Sequence, residues 1–326
     1  MNKIRIKSFP RIHITLIGMN RDGYRINGGL GFSLSNPCLN LSFEVSTETK
    51  IVDNRNPEMT DKEKDKIKSL LETTANECGL INKIKCVIEK GVSSHCGLGT
   101  TTAISMSCVE ALFVLNKKRY SRYDVVKYSN RGGTSGVGIN TYFDGGFVFD
   151  IGIKNDGRMH LPSSVYNHKR IIPLIMKQCK LPMWKIGLCL PNYIKRKTEE
   201  EEVEFFKENC PISKNDVENI LYESVYGITS SIMEHNKTVF CESTNVIQKT
   251  KWKMLERTLY GNELVELEMK LKHYGASCVG MSSLGPLLYF MGEDIQAIIK
   301  EMRSTNADVI CYEEMFNNKG RMIEYD

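Results

Sequence analysis

A glycine loop that runs directly into a helical pattern carries the clearest chemistry in this sequence. Gly97, Leu98 and Gly99 are followed by three threonines, beginning with Thr100 and Thr101, and then by small and apolar residues. Glycine lets the backbone approach an anion closely, and a helix N-terminus offers unpaired N–H groups with a positive partial charge. The pattern predicts a cradle for phosphate or pyrophosphate. A tight turn that merely joins a strand to a helix is the alternative interpretation.

Further glycine-rich segments strengthen the interpretation as an anion site. They lie at 25–31 (RINGGLG), 131–138 (RGGTSGVG) and 280–286 (GMSSLGP), and a Gly-Gly-Phe sequence with a nearby aspartate follows the second of them. None of the glycine loops has the lysine of a Walker A motif or the spacing of a Rossmann GxGxxG. If these loops converge, their arginines, serines and threonines suit a substrate with several phosphate groups.

Size and composition indicate a globular protein that acts on anions. The chain has 326 residues, with 41% apolar and 25% charged residues, and it is long enough for one large domain or two ordinary ones. A net charge of +5 suits anionic substrates but is far from the dense basic surface of a nucleic-acid binder. The longest apolar stretch, 103–115, is too short to span a bilayer and contains Glu110. These features predict a cytoplasmic protein that binds neither nucleic acid nor membrane.

Eleven cysteines are spread along the chain without a CxxC pair. A zinc site needs clustered soft ligands, which this spacing does not supply. We therefore expect reduced thiols that act mostly as small core residues.

The predicted elements mix strands and helices without a regular alternation. A strand at 84–89 leads into the glycine loop, a helix should follow it to Leu115, and Thr60 with Glu63 forms a capping box that opens another helix. Such a pattern favours an α+β fold. Gly152, Asn155 and Pro162 suggest a linker, so we predict two domains, at 1–152 and 153–326.

The order and spacing of the motifs resemble the beta-ribofuranosylaminobenzene 5'-phosphate synthase family, a branch of the GHMP-kinase superfamily. The residues that carry the resemblance are Arg11, His13, Leu16, Ile17, Asn20, Arg25, Gly28, Gly29, Gly31, His95, Gly97, Leu98, Gly99, the segment 135–152 and the segment 282–286. Two departures are the three threonines after Gly99 and Leu284 at a position where the family has tryptophan. The departures affect the expected acceptor more than the expected donor.

The resemblance implies a two-domain α+β fold like that of the GHMP kinases and an established reaction type. C1 of phosphoribosyl pyrophosphate (PRPP) is joined to a ring carbon of an aromatic carboxylic acid, such as 4-aminobenzoate or 4-hydroxybenzoate, with release of pyrophosphate and CO2. It also implies Mg²⁺ as cofactor, a homodimer, and a place in tetrahydromethanopterin biosynthesis or in the making of C-nucleosides.

Roles for individual residues follow from the same resemblance. We predict Arg25, Asp150 and His13 as catalytic, with Arg25 clamping a phosphate or carboxylate through its planar fork and Asp150 stabilising the ribosyl cation or binding Mg²⁺. The predicted PRPP- and phosphate-binding residues are Gly28, Gly29, His95, Gly97, Leu98, Gly99, Thr100, Thr101, Arg131, Ser135, Gly136, Ser282 and Ser283.

Two other functions remain open at this point. An ATP-dependent small-molecule kinase is compatible with the same fold, because fold does not determine function. A non-catalytic ligand sensor would retain the binding glycines and lack the catalytic groups, whereas Arg25 and Asp150 are both present here.

Overall fold

Antiparallel strand pairing dominates the structure. The computed structural model describes residues 2–163, 165 and 171–325, and the ends of the two predicted domains, Met1 and Asp326, lie outside the described residues. The strands are β1 (Lys3–Ser8), β2 (Arg11–Gly18), β3 (Arg25–Ser33), β4 (Leu39–Ser46), β5 (Lys50–Asp53), β6 (Lys83–Lys90), β7 (Phe147–Asp150), β8 (Ile153–Lys154), β9 (Ile175–Cys179), β10 (Lys185–Pro191), β11 (Ala276–Met281), β12 (Leu288–Gly292), β13 (Val309–Met315) and β14 (Met322–Tyr325).

The described residues also form eleven α-helices. They are α1 (Asp61–Cys78), α2 (Thr100–Leu115), α3 (Arg122–Tyr128), α4 (Val137–Asp144), α5 (Glu199–Asn209), α6 (Lys214–Tyr222), α7 (Ser230–Met233), α8 (Lys237–Ile247), α9 (Lys251–Thr258), α10 (Gly261–His273) and α11 (Ile295–Thr305), with a π-helical segment (Glu223–Thr229) between α6 and α7. The predicted capping box at Thr60 and Glu63 is confirmed at the start of α1. Among these helices, none has both the length and the apolar character needed to cross a membrane.

The strands form three sheets in the described residues. The first has the order β14-β1-β4-β6-β5, the second β2-β3-β7-β9 with β8 beside β3, and the third β11-β12-β10-β13. The neighbours pair antiparallel, except that β5 runs parallel to β6. Strands from the C-terminal half thus complete both the first and the second sheet. The α+β class is confirmed, while the division at 152/153 stays a prediction.

Helix α2 is the central element of the first half. It is buried on nearly all sides, since one face packs on the first sheet and the other on α3 and α4. A helix that is apolar all round must be covered in this way. The burial fixes the position of its N-terminus, which is where the glycine loop ends.

The cysteines are free thiols, as predicted, and most of those described are buried. The structure adds that some of them meet in pairs. Cys86 and Cys108 have their sulfur atoms 3.9 Å apart, and Cys189 lies opposite Cys311 across β10 and β13.

Glu110 is the one charged residue inside α2, and it is fully buried. Arg321 donates to both of its carboxylate oxygens, at 3.0 and 2.5 Å. The hydroxyl groups of Tyr142 (2.8 Å) and Tyr120 (3.0 Å) donate as well. This network attaches the segment before β14 to the central helix.

Replacement of Arg321 by alanine should lower the free energy of unfolding by about 3 kcal/mol, because the buried Glu110 carboxylate loses its cationic partner. The matched control is Arg122→Ala, whose ion pair with Asp144 is 59% exposed on the arginine side; exposed pairs contribute less than about 1 kcal/mol. Denaturant unfolding measures both. Equal losses for the two variants would contradict the importance of the buried network.

Candidate active site

A cavity of about 950 Å³ lies between α1, β2, the N-termini of α2 and α4, and the loop joining β11 to β12. Predicted site residues on its wall are His13, His95, Gly97, Gly99, Thr100, Thr101, Arg131, Ser135 and Ser283. Predicted residues that the structure places behind this wall are Arg25, Gly28, Gly29, Leu98, Gly136, Asp150 and Ser282. The glycine loops therefore converge as the sequence predicts, but some of their residues support the site without facing it.

Three distant chain segments meet at Ser282. Its hydroxyl donates to the Gly97 carbonyl at 2.7 Å and accepts from the backbone N–H of His13 at 3.1 Å. The backbone N–H of Ser283 donates to the His13 carbonyl at 3.0 Å. Ser282 is fully buried. Ser282 thus joins its own loop, 280–286, to β2 and to the glycine loop at Gly97. Ser283 faces the cavity.

Glycine is required where these loops touch. A Cβ atom on Gly285 would lie 2.2 Å from the backbone nitrogen of Gly97. A Cβ atom on Gly97 would lie 2.5 Å from the Ser282 carbonyl oxygen, and the φ of Gly97 is +101°. The late glycine loop and the first one thus pack backbone against backbone.

The first turn of α2 points its N–H groups at the cavity. Gly99 is the N-cap residue, with a left-handed φ of 75°, and it supplies no side-chain hydrogen bond to the helix. Thr100 and Thr101 line the cavity. Leu98, predicted as a phosphate contact, instead places its side chain in the core, at 2% exposure. Its carbonyl accepts from the Arg11 backbone N–H at 3.1 Å.

Two arginine side chains flank this helix N-terminus. Arg11 donates through Nη1 to the Gly97 carbonyl at 2.6 Å, and Arg131 donates through Nη2 to Ser105 Oγ at 3.2 Å. The Nε atom of each is buried and has no hydrogen-bond partner among the described residues. Burial lowers the pKa of both groups, that of Arg11 to about 10, so both remain charged at neutral pH.

Those unpartnered donors indicate an anion-binding site. A buried donor left without a partner costs about 1–3 kcal/mol, and an anion between Arg11, Arg131 and the helix N-terminus would satisfy all three. Arg131 was predicted as a phosphate contact. In the sequence Arg11 is marked only by the matching motif. In the fold its guanidinium lies over Gly99, where an added Cβ atom would be 3.0 Å from Arg11 Nε.

His13, Ser135 and Asp150 form a hydrogen-bonded chain that ends at the cavity. The Ser135 hydroxyl donates to the Asp150 carboxylate at 3.1 Å, and His13 Nε2 lies 3.2 Å from the same hydroxyl oxygen. Burial, together with the charges of Arg11 and Lys253, holds the pKa of His13 well below its usual value. His13 is thus neutral, and with Nε2–H donating to Ser135 its unpartnered Nδ1 is an acceptor.

Asp150 is fully buried and its carboxylate is occupied by protein donors. It accepts from the backbone N–H groups of Gly136 at 2.8 Å and Gly152 at 3.0 Å. Burial outweighs these hydrogen bonds and raises the pKa of Asp150 to about 7. Gly29 fits the same arrangement, because a Cβ atom there would lie 2.7 Å from His13 Nε2.

A magnesium site at Asp150 does not fit this arrangement. Mg²⁺ needs free carboxylate oxygens and room for its waters, and here both oxygens accept hydrogen bonds. Within residues 2–163, 165 and 171–325, no cluster of three or more His, Cys, Asp or Glu side chains could hold a metal ion.

Arg25 also differs from its predicted role. Its Nε donates to the Ile151 carbonyl at 2.9 Å and its Nη2 to the Gly152 carbonyl at 2.6 Å. Gly28 donates its N–H to the Thr134 carbonyl at 2.7 Å. Arg25 therefore fixes the turn after Asp150, and Gly28 joins β3 to the loop before α4. The structure does not place the Arg25 guanidinium at the cavity.

His95 lies between two glutamates at the mouth of the cavity. Its ring nitrogens are 3.6 Å from Glu63 of α1 and 3.6 Å from Glu202 of α5. These carboxylates raise the pKa of His95 to about 9. The adjacent pair of Lys62 and Glu200, at 2.5 Å, also links α1 to α5. His95 is thus a cation held by acids, and a phosphate contact would need that arrangement to open.

Comparison with solved structures gives the class of the fold. The chain superimposes on homoserine kinase from Cytophaga hutchinsonii with a TM-score of 0.68 at 14% identity, covering 99% of this chain and 98% of that one. Mevalonate diphosphate decarboxylase from Staphylococcus aureus gives 0.67 at 13%, with 99% and 98% covered. The family model described as the GHMP kinases N terminal domain matches residues 65–145. The protein therefore has the GHMP-kinase fold.

Sequence relatives identify the branch. A beta-ribofuranosylphenol 5'-phosphate synthase of Archaeoglobus fulgidus is 31% identical over 88% of this chain and 87% of its own length. One of Methanothermobacter thermautotrophicus is 27% identical over 89% and 88%. The chain belongs to the beta-ribofuranosylphenol 5'-phosphate synthase family, which confirms the predicted resemblance.

Replacing Gly285 by alanine should cost about 3 kcal/mol of folding stability, because the new methyl group overlaps the Gly97 backbone. Gly138→Ala in α4 is the control. Its Cβ atom would meet Thr102 at an ordinary 3.4 Å, and alanine in a helix is favoured by up to about 1 kcal/mol. Thermal unfolding distinguishes them, and a neutral Gly285→Ala would contradict the close packing.

The charge on His95 should stabilise the fold in a defined pH range. Its pKa is raised, so this contribution is fully present below about pH 6.5 and is lost as the pH rises through about 9. The difference in unfolding free energy between wild type and His95→Asn should be about 2 kcal/mol larger at pH 6 than at pH 10. A difference that is constant over this range would contradict the proposed ion pairs.

Proposed function

We propose that this protein transfers the ribose 5-phosphate group of PRPP to a ring carbon of an aromatic acid of the 4-hydroxybenzoate or 4-aminobenzoate type, releasing pyrophosphate and CO2. The observation that carries the proposal is the pair of incompletely bonded arginines, Arg11 and Arg131, on either side of the uncapped α2 N-terminus. In a member of this synthase family, such a site suits the pyrophosphate of the donor.

Charge neutralisation of the leaving group is the first task. Pyrophosphate departs with the electron pair of the C1–O bond, and donors fixed in advance around it stabilise the developing charge. In the proposal these donors are the two guanidinium groups and the N–H groups of Thr100 and Thr101. Asp150 has no free carboxylate oxygen to bind Mg²⁺, so a Mg²⁺ ion would have to be brought by PRPP, where it would add to the neutralisation of the pyrophosphate charge.

Support for the ribosyl centre comes from His13. Its neutral Nδ1 is an acceptor on the cavity wall, suited to a ribose hydroxyl group. In its ionised form Asp150 accepts from the Ser135 hydroxyl, whose oxygen accepts from His13 Nε2–H. This chain of hydrogen bonds increases the electron density on His13 Nδ1, which faces the developing positive charge in this scheme. We assign Asp150 and Ser135 as positioning residues in this scheme and His13 as the group in contact with substrate.

Other expectations about this protein remain proposals. They are the homodimer, the cytoplasmic location and the place in tetrahydromethanopterin or C-nucleoside formation. The kinase alternative rests on structural similarity to solved proteins such as homoserine kinase. At 14% sequence identity, that similarity supports the fold alone.

Mass spectrometry tests the proposal directly. Purified protein is incubated with PRPP, Mg²⁺ and a panel of aromatic acids, and with ATP and candidate alcohols in parallel. We expect a ribosyl-phosphate adduct that has lost the carboxyl group. Persistence of PRPP with every acid, together with consumption of ATP, would overturn the proposal in favour of a kinase.

Arg11→Met and Arg131→Met should each weaken PRPP binding by about 10- to 100-fold, the effect expected for lost hydrogen bonds between charged groups. Arg122→Met, at the exposed pair on α3, is the matched control and should bind normally. Calorimetric titration with PRPP and with pyrophosphate measures the affinities. Unchanged affinity in both cavity variants would contradict the assigned anion site.

A further inference from the structure

A buried ion pair on α9 has no part in the mechanism so far. Lys253 is 0% exposed and Glu256 is 1% exposed. The Lys253 ammonium donates to one Glu256 oxygen and to the Met281 carbonyl, the latter at 2.8 Å. The indole N–H of Trp252 donates to the other Glu256 oxygen at 2.8 Å.

Such a pair is costly to bury. Removing two charges from water costs several kcal/mol for each ion, and well-packed apolar residues of the same volume are often as stable. Lys253 donates to the Met281 carbonyl and so fixes the β11–β12 hairpin. That role explains a donor at position 253, but it does not require a carboxylate at position 256. A buried charge next to a cavity is a candidate for function.

Glu256 lies on the wall of the cavity, together with Leu16, Phe206 and Leu284. These three apolar residues come from different elements, and each is largely buried. They give this end of the cavity an apolar lining. The carboxylate of Glu256 is the charged group that α9 adds to it. Burial raises the pKa of Glu256 and lowers that of Lys253.

The two ends of the cavity thus differ in chemistry. Arg11, Arg131 and the α2 N-terminus lie at one end of the cavity. An acceptor whose carboxyl-bearing carbon meets C1 of PRPP at that end would point the rest of its ring toward the apolar end. In a para-substituted ring, the second substituent projects directly opposite the carboxylate. A flat ring between Phe206 and Leu284 would bring that substituent to Glu256.

Each Glu256 oxygen accepts one hydrogen bond and keeps a second lone pair, unlike the Asp150 carboxylate with its four donors. We propose that Glu256 binds the para hydroxyl or amino group of the aromatic acceptor and takes a proton from it as the new carbon–carbon bond forms. This inference rests on the proposed transferase function and extends it to the choice of acceptor. Trp252 and Lys253 are positioning residues, because they hold the carboxylate without lining the cavity themselves.

The step balances. The proton of the hydroxyl group moves to Glu256, and the electron density released into the ring forms the bond from the carboxyl-bearing carbon to C1 of the ribosyl group. The C1–O bond to pyrophosphate breaks, and pyrophosphate leaves with its electron pair. Loss of CO2 returns an electron pair to the ring, and Glu256 gives the proton back to the product oxygen.

Two variants test this role. Glu256→Gln keeps the shape of the side chain but cannot take a proton. The double variant Lys253→Met with Glu256→Met removes the pair together, which avoids an unpaired buried charge and should preserve the fold. Melting temperature and calorimetric titration with PRPP show whether the fold and the donor site remain intact.

The ligands measured are 4-hydroxybenzoate and benzoate, which differ by the hydroxyl group alone. Wild type should bind 4-hydroxybenzoate about 10- to 100-fold more tightly than benzoate. The double variant should lose this preference, while Glu256→Gln, which keeps an acceptor oxygen, should only reduce it. Turnover of both variants with 4-hydroxybenzoate and PRPP should fall about 100-fold or more, at unchanged PRPP affinity.

Retention of the preference and of turnover in either folded variant would overturn the inference and leave the transferase function standing. If Glu256→Gln does not fold, the double variant decides in the same way. If both fail to fold, the pair is structural and the inference is wrong. Absence of any PRPP-dependent product from the wild type would instead overturn the proposed function itself.

Discussion

The hydroxyl group of Ser282 holds the site together. It accepts from the backbone N–H of His13 in β2 and donates to the carbonyl of Gly97. Along the chain, His13 lies 269 residues and Gly97 lies 185 residues from Ser282. The contact is possible only because Gly285 and Gly97 leave no side chain between the loops. Without this junction, the uncapped N-terminus of α2 and the side chain of His13 would have no common cavity to face.

Desolvation determines the charge state of the groups around that junction. Burial keeps His13 neutral and raises the pKa of Asp150, while Arg11 and Arg131 keep their charge with part of their donors unused. The low dielectric around these buried groups strengthens their interactions with a substrate. The same burial that costs folding energy therefore prepares the site for an anion with several charges.

The local part of the site could be predicted from the sequence. A glycine loop followed by a helix is a short-range pattern, so the α2 N-terminus was assigned with its threonines. His13, Ser135 and Arg131, which the resemblance to the synthase family indicates, lie on the wall of one cavity. Arg25 and Asp150 do not face the cavity as predicted, because their partners include backbone groups of a turn. No spacing rule shows which carbonyl or N–H group a side chain will reach.

Glu256 and the cysteine pairs were missed for a related reason. The sequence of α9, KWKMLERT, is typical of a solvated basic helix. Lys253 and Glu256 are buried only because the β11–β12 hairpin and the neighbouring helices cover them. Likewise, Cys189 and Cys311 become neighbours through strand register alone. Tertiary packing decides such positions, and a single sequence does not record it.

Carbon-13 NMR provides the most direct test of the transferase account. PRPP labelled at C1 is incubated with the protein, Mg²⁺ and 4-hydroxybenzoate labelled at the carboxyl-bearing ring carbon. The account predicts a product in which the two labels show a one-bond carbon–carbon coupling, because the ribosyl carbon replaces the lost carboxyl group. A product without that coupling, or recovery of both labelled substrates unchanged, would contradict it.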